Sequence, residues 1–259
     1  MRVLCVGDVC APDGCAAAIR IIPRLKKELS VDFTVVNGEN SAEGNGITPD
    51  SANMLFSAGA DVITGGNHSF RRGEIYEMLD NNPCLLRPDN IESEYGGGYT
   101  LCDLGKYGVA VINLSGQVYL ERQKTENAFM AAEKLVNRAK AAGAKFIIVD
   151  FHAEATSEKR AMGFFLDGRV SAVFGTHTHV QTADEQILPH GTGYITDLGM
   201  TGVIDSVLGV QKQIIINRLK SGGSEKFLQA SGKCMLNGCL FELDDKTGLA
   251  IGVKRIYRE

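Results

Sequence analysis

Apolar residues in this chain gather in short runs, and each run ends on side chains that carry a ligand atom. Val3-Leu4-Cys5-Val6-Gly7 leads to Asp8, Phe33-Thr34-Val35-Val36 to Glu39-Asn40, and Val62-Ile63-Thr64 to Asn67-His68. Phe146-Ile147-Ile148-Val149 leads to His152, and Val170-Ser171-Ala172-Val173-Phe174 to Gly175-Thr176-His177-Thr178-His179. Continuous apolar runs this short predict strands buried on both faces. Between them the period lengthens to that of a helix. Ile19, Ile22 and Leu25 keep helical spacing within a helix expected from about Gly14 to Leu29. Thr48 is placed to cap a second helix, Pro49–Ala58, with Pro49 in its first position. Helices are also expected near Gly73–Leu79, Glu126–Ala142 and Val210–Leu219, and from a Thr156-Ser157-Glu158 cap to about Leu166. Tyr99–Leu104 and Tyr107–Leu114 read as a hairpin, and Gln186–Leu188, Gly193–Thr196, Lys233–Glu242 and Leu249–Ile256 as later strands.

Strands alternating with helices predict an α/β protein with parallel pairing and helices on both faces. The expected architecture is a four-layer α/β sandwich, two central mixed sheets flanked by helices, in one domain spanning residues 1–259. Ser221-Gly222-Gly223-Ser224 reads as a flexible loop inside that domain.

The 44% hydrophobic and 22% charged content fits an ordinary globular chain. A net charge of −4 argues against stable binding to nucleic acid, which calls for a basic face, yet it leaves a small nucleotide substrate open. Seven cysteines without a C-x-x-C pair support neither a disulfide framework nor a zinc knuckle. No stretch has the pattern of a signal peptide or the length of a membrane span, so no membrane partner is expected and the cytoplasm is the expected compartment.

Carboxylate, amide and imidazole ligands at the carboxyl ends of several strands are how an α/β sheet builds a site. Asp8, Glu39, Asn67, His152, His177 and His179 form a complete ligand set for two divalent cations, with Asn40 as a further ligand or a support. Taken singly, Asp8 reads as a cap, Asn40 and Asn67 as turn residues, and His152 as a core histidine. Coincident turn residues would not fall into so complete a set. Two cations provide a nucleophile at neutral pH and positive charge for phosphoryl oxygens, so the chemistry predicted is two-metal hydrolysis of a phosphate ester. Two such ions against two carboxylates and one hydroxide leave a single positive charge, which matches a phosphodiester. A donor set of nitrogen and oxygen fits iron, manganese or zinc. Arg71 and Arg72 are candidates for a phosphate contact, although solvated arginines are commoner.

The order and spacing resemble those of the calcineurin-like metallophosphoesterases, and most closely their YmdB-type cyclic-nucleotide phosphodiesterase branch. The resemblance rests on Gly7-Asp8-Val9, Asn37-Gly38-Glu39-Asn40-Ser41-Ala42, Gly66-Asn67-His68 and Asp150-Phe151-His152-Ala153-Glu154. Gly175-Thr176-His177-Thr178-His179-Val180-Gln181-Thr182 and Tyr194-Ile195-Thr196-Asp197-Leu198-Gly199 extend it over essentially the whole chain. It implies a sandwich of metallophosphoesterase type and two metal ions per chain, iron or manganese before zinc. It implies Asp8 and His179 on one metal, Asn67, His152 and His177 on the other, Glu39 bridging, and Asn40 supporting the site. His68 is implied to assist the leaving oxygen after a metal-bound hydroxide attacks. The implied substrates are 2′,3′- or 3′,5′-cyclic nucleotides, and the implied assembly is a homo-oligomer. Cys10 stands where the wider superfamily carries a histidine, a departure shared by this branch. A phosphomonoesterase or nucleotidase is the rival among enzymes. A metal-dependent nucleotide- or RNA-binding regulator without turnover is the rival outside them.

Overall fold

The computed structural model describes residues 1–120 and 125–259. In chain order its elements are β1 (Arg2–Val6), β2 (Asp8–Val9), α1 (Ala11–Glu28), β3 (Phe33–Asn37), α2 (Pro49–Ser57), β4 (Val62–Thr64), a 3-10 turn (Gly73–Ile75) and α3 (Tyr76–Asn81). There follow β5 (Tyr99–Asp103), β6 (Gly108–Ser115), α4 (Ala128–Ala141), β7 (Ala144–His152), α5 (Thr156–Leu166), β8 (Ala172–Thr176) and β9 (Gln186–Ile187). The chain closes with β10 (Gly193–Ile195), β11 (Met200–Val203), α6 (Lys212–Ser221), β12 (Cys234–Leu243) and β13 (Ala250–Arg258).

These strands form two mixed sheets. One runs β2-β11-β12-β1-β3-β4, with β13 also paired to β12; the other runs β5-β6-β7-β8-β10-β9. Strands β1, β3 and β4 are mutually parallel, as are β6, β7, β8 and β10. The continuous apolar runs follow from packing on both faces. In β1, Leu4 and Val6 pack with Ile22 and Leu25 of α1, whereas Val3 and Cys5 face the other sheet. In β6, Ala110, Ile112 and Leu114 pack with Leu135 of α4, and Val109 and Val111 join Val3 and Cys5 between the sheets. Three apolar layers thus separate four structural ones, as expected. No helix among the described residues is long and apolar enough to cross a membrane.

Several boundaries differ from expectation, each for a local reason. Helix α1 begins at Ala11, with Pro12 in its first turn. Gly14, which reads as a start signal, is instead where the helix passes close to β11, since a Cβ there would stand 2.5 Å from Thr201 O. Helix α4 starts at Ala128 because the Asn127 side chain accepts from the backbone N–H groups of Phe129 and Met130, while Glu126 N–H donates to Asn90 O. Thr156-Ser157-Glu158 does not cap α5, whose N-cap is Ala155 with no side-chain bond. The Glu158 carboxylate is used elsewhere, accepting from Gln117 N at 2.9 Å and Val118 N at 3.3 Å. Strand β8 is shifted two residues, to Ala172–Thr176, and β7 continues past Val149 to His152 because Asp150, Phe151 and His152 remain paired to both neighbours. Strands β2 and β11 were not expected, since their register against each other covers only Asp8–Met200 and Val9–Thr201 and is too short to show a period.

Thr48 caps α2 as expected: its hydroxyl accepts from Ser51 N, and Ser51 Oγ accepts from Thr48 N at 3.0 Å. Thr48→Ala is expected to lower unfolding stability by about 1 kcal/mol, checked by urea denaturation.

Candidate metal centre

The carboxyl edges of both sheets meet at one cleft. After β1 the chain crosses at Gly7, where a Cβ would collide with Gly199 O, and this crossing places Asp8 on β2 beside β11. Glu39 and Asn40 lie in the turn after β3, Asn67 and His68 in the turn after β4, His152 at the last position of β7, and His177 and His179 just beyond β8. Asp8, Glu39 and His152 are fully buried.

Hydrogen-bond logic fixes where the imidazole protons sit. Thr176 Oγ1 donates to Asp150 Oδ1 at 2.7 Å, so it must accept from His152 Nδ1–H at 2.9 Å. His152 Nε2 is left with a lone pair. His177 Nε2 faces Glu154 Oε2 at 3.0 Å, which puts a proton on that nitrogen. His177 Nδ1 stands 3.1 Å from the His152 lone pair. Asn67 Oδ1 stands 2.9 Å from His152 Nε2, and Glu39 Oε2 stands 3.4 Å from it. One nitrogen, then, has three further polar atoms around it.

This arrangement fits a cation. Ligand atoms of Glu39, His152 and His177 all lie within 4.8 Å of one another. Gly66 is glycine because a Cβ would overlap both Glu39 Oε2 and His152 Nε2, so the space between the donors is kept clear of carbon. On the Asp8 side, Oδ2 accepts from His177 N at 3.2 Å, while Oδ1 has no hydrogen-bond partner among the described residues despite full burial. His179 Nε2 is 3.6 Å from that oxygen. A buried carboxylate oxygen without a donor costs free energy unless something positive meets it.

Charge on these groups follows from burial set against neighbours. Burial pushes His152 down to about 4, against the pull of Glu39, so its imidazole is neutral and able to ligate at neutral pH. Burial opposes ionisation of Glu39, but the hydrogen bonds from His68 Nδ1 and the His68 backbone N–H help hold the carboxyl below the usual range. The same balance, with His179 as the main counterweight, lowers Asp8.

Asn40 and His68 form a second tier. Asn40 Nδ2 donates to Glu39 Oε1 at 2.7 Å and lies 3.2 Å from His179 Nε2. Asn40 Oδ1 and Glu39 Oε1 stand 3.0 and 3.1 Å from His68 Nδ1. Both are acceptors, so Nδ1 carries the proton and Nε2 is left for the cavity. Arg71 lines that cavity. Arg72 is used by the loop before it, donating from Nε to Asn45 O at 3.1 Å and from Nη2 to Glu43 O. Cys10 packs with its Sγ 3.7 Å from His179 Nδ1.

Sequence reading passed over the groups that hold this centre in place. His177 and His179 both have positive φ, 96° and 63°, in the left-handed region that side chains avoid. Between them, Thr178 donates to Asp197 Oδ2 through its N–H at 3.2 Å and its hydroxyl at 2.6 Å. Lys159 Nζ meets the same oxygen at 2.7 Å and also donates to Thr178 Oγ1 at 3.1 Å. Lys159 and Asp197 are both buried, so the pair is a clamp on the histidine turn. Asp197 lies in a segment that carries the family resemblance, but its 38-residue separation from Lys159 hides the partner. Asp150, at the base of the cleft, accepts from Thr64, Asn37 and Thr176, and burial lifts its carboxyl to about 7 against those bonds. His190 lies elsewhere, paired with Asp167 at 2.9 Å.

Comparison with known proteins adds three findings. The family described as YmdB-like protein matches residues 4–256. A 2′,3′-cyclic-nucleotide 2′-phosphodiesterase of Bacillus subtilis is 44% identical over 257 residues, covering 99% of this chain and 96% of that protein. Two solved structures share the fold throughout. A hypothetical protein of Thermus thermophilus gives a TM-score of 0.91 at 34% identity, covering 100% of this chain and 99% of that one. A novel phosphatase of Mycoplasma pneumoniae gives 0.93 at 33%, covering 100% and 93%.

Gly66→Ala is expected to reduce bound metal while leaving circular dichroism unchanged, read by elemental analysis after purification without chelator. Lys159→Met strands the Asp197 charge in the interior, and its cost in urea denaturation is expected to be about 3–5 kcal/mol. Adding Asp197→Leu to it should recover part of that loss, because the unpaired charge is then gone.

Proposed function

Because this chain belongs to the YmdB-like family, with the metallophosphoesterase fold, we propose that it is a dinuclear metal-dependent phosphodiesterase opening small 2′,3′-cyclic nucleotides. The observation that carries the reading is the convergence of His152 Nε2, His177 Nδ1, Asn67 Oδ1 and Glu39 Oε2 on one small volume, the two ring nitrogens 3.1 Å apart. The 2′,3′ ester is favoured over the 3′,5′ ester by the activity named for the Bacillus relative. Asp8 and His179 would hold one ion, Asn67, His152 and His177 the other, and Glu39 would bridge them. When bound, the two cations supply a nucleophile at neutral pH and positive charge for the phosphoryl oxygens. Iron or manganese suits these nitrogen and oxygen donors, and zinc is also compatible.

The chain's own residues carry the proton. Glu39 and Asn40 fix His68 through its Nδ1–H, so that Nε2 is the atom turned to the substrate. In the protonated form of His68, Nε2–H passes its proton to O2′ as the bond from phosphorus to O2′ breaks. Water supplies the new oxygen on phosphorus, and the product is a nucleoside 3′-monophosphate. A histidine suits this task because its ordinary pKa is near operating pH. Arg71, on the cavity wall, is in place to meet a phosphate oxygen.

Protein purified without chelator is expected to carry about two metal ions per chain and to hydrolyse 2′,3′-cAMP and bis-p-nitrophenyl phosphate. His68→Ala should retain the metal and lose about 10²- to 10⁴-fold in kcat. Full metal content without turnover of either diester would favour a nucleotide-binding regulator. Stripping the metal with a chelator is expected to abolish turnover, with recovery on adding back manganese.

A further inference from the structure

The cleft extends beyond the metal-binding side chains into a cavity of about 630 Å³. Glu39, His68, His177 and His179 give its lining polar atoms. Leu208, Val210 and Phe227 give the same lining apolar side chains. Leu208 and Phe227 are about half exposed, at 46% and 52%, so burial in the core does not account for either.

Leu208 is also strained. Val207 and Val210 exchange backbone hydrogen bonds of 2.9 and 3.0 Å, which makes Leu208-Gly209 the centre of a two-residue hairpin turn. Both central residues have positive φ, 54° and 90°. Such a turn prefers Asn-Gly, and a leucine in its first central position is unfavourable. Holding a bulky apolar side chain there, half exposed, serves neither the turn nor the core; it does place that side chain on the cavity wall. Phe227 is fixed independently, because the Arg218 guanidinium lies over its ring, 4.2 Å from the centroid. A ring held by a cation on one face and half open to solvent offers its remaining surface to a flat ligand. Val210 links the two walls, since it bridges to Gln229 two residues beyond Phe227.

We infer that Leu208 and Phe227 form the base-binding subsite, holding the heteroaromatic base of a mononucleotide whose phosphodiester lies against Glu39, His68, His177 and His179. This rests on the phosphodiesterase reading and adds the part of the substrate that the protein recognises. A cavity of this size takes one mononucleotide, within the usual ~300–1,000 Å³ of small-ligand sites. Arg71 and Lys226 on the same lining put positive charge beside an anionic ligand. Aromatic and apolar surfaces bind any base through its flat face, so the subsite selects for a nucleoside over a bare sugar phosphate and discriminates weakly among bases.

The chain has no tryptophan, so Phe227→Trp installs a single fluorescent reporter at the subsite. In the metal-loaded protein, adenosine 3′-monophosphate should quench it saturably and ribose 5-phosphate should not. Phe227→Ala should raise KM for 2′,3′-cAMP, with a loss in kcat/KM about tenfold or more greater than on methyl riboside 2′,3′-cyclic phosphate, the same ester without a base. Leu208→Asn relieves the turn, so it should leave Tm unchanged or higher while KM for 2′,3′-cAMP rises, which a purely structural leucine would not produce. Equal losses on the two esters, or equal quenching by the two phosphates, would overturn the subsite and leave the hydrolase reading standing. Quenching by the nucleotide alone, without turnover of either ester, would sustain the subsite and overturn the hydrolase reading.

Discussion

His152 Nε2 and His177 Nδ1 stand 3.1 Å apart, beside the Glu39 carboxylate and the Asn67 amide oxygen. Thr176 holds the His152 proton on the far side of its ring, so Nε2 offers its lone pair to this group. Holding so many polar atoms together in one cleft is the problem that the surrounding structure is arranged to solve. A cation that joins them turns their shared negative potential into coordination. Until then the scaffold alone must keep the donors aligned.

The scaffold does so through oriented hydrogen bonds and through the stiffness of paired strands. His152 is the last residue of a strand paired on both sides, and the chain from Asp150 through Thr176 dictates which of its nitrogens is free. The histidine pair beyond β8 has no strand to hold it and adopts strained backbone geometry. Its rigidity comes from two buried carboxylates: Asp8 takes the N–H of His177, and Asp197, neutralised by Lys159, takes the N–H of Thr178. Asp8 therefore has a structural duty on one oxygen and an unpartnered oxygen on the other.

Chemistry and recognition are divided along the cavity. Rigid strand ends carry the donors, which must be aligned within tenths of an ångström. A hairpin turn and the segment after α6 carry Leu208 and Phe227, whose apolar contacts tolerate more variation. That division matches the usual pattern in which loops on a fixed scaffold set specificity.

Local patterns in the chain were enough to reveal most strands and helices and the residues that converge on the cleft. Buried strands are written as continuous apolar runs, and the candidate ligand residues follow directly in the chain, so both are local signals. Asp8, Glu39, Asn67, His152, His177 and His179 are each legible in this way. What surrounds them emerged only from the folded chain. Lys159 meets Asp197 across 38 residues and Asn37 meets Asp150 across 113, and no local period encodes a contact of that range. The same reason separates Arg71 from its neighbour: adjacent in sequence, one lines the cavity while the other turns to the backbone of Glu43 and Asn45. Leu208 and Phe227 carry no motif at all. Their place in the same cavity lining as the histidines depends on packing between parts of the chain far apart in sequence.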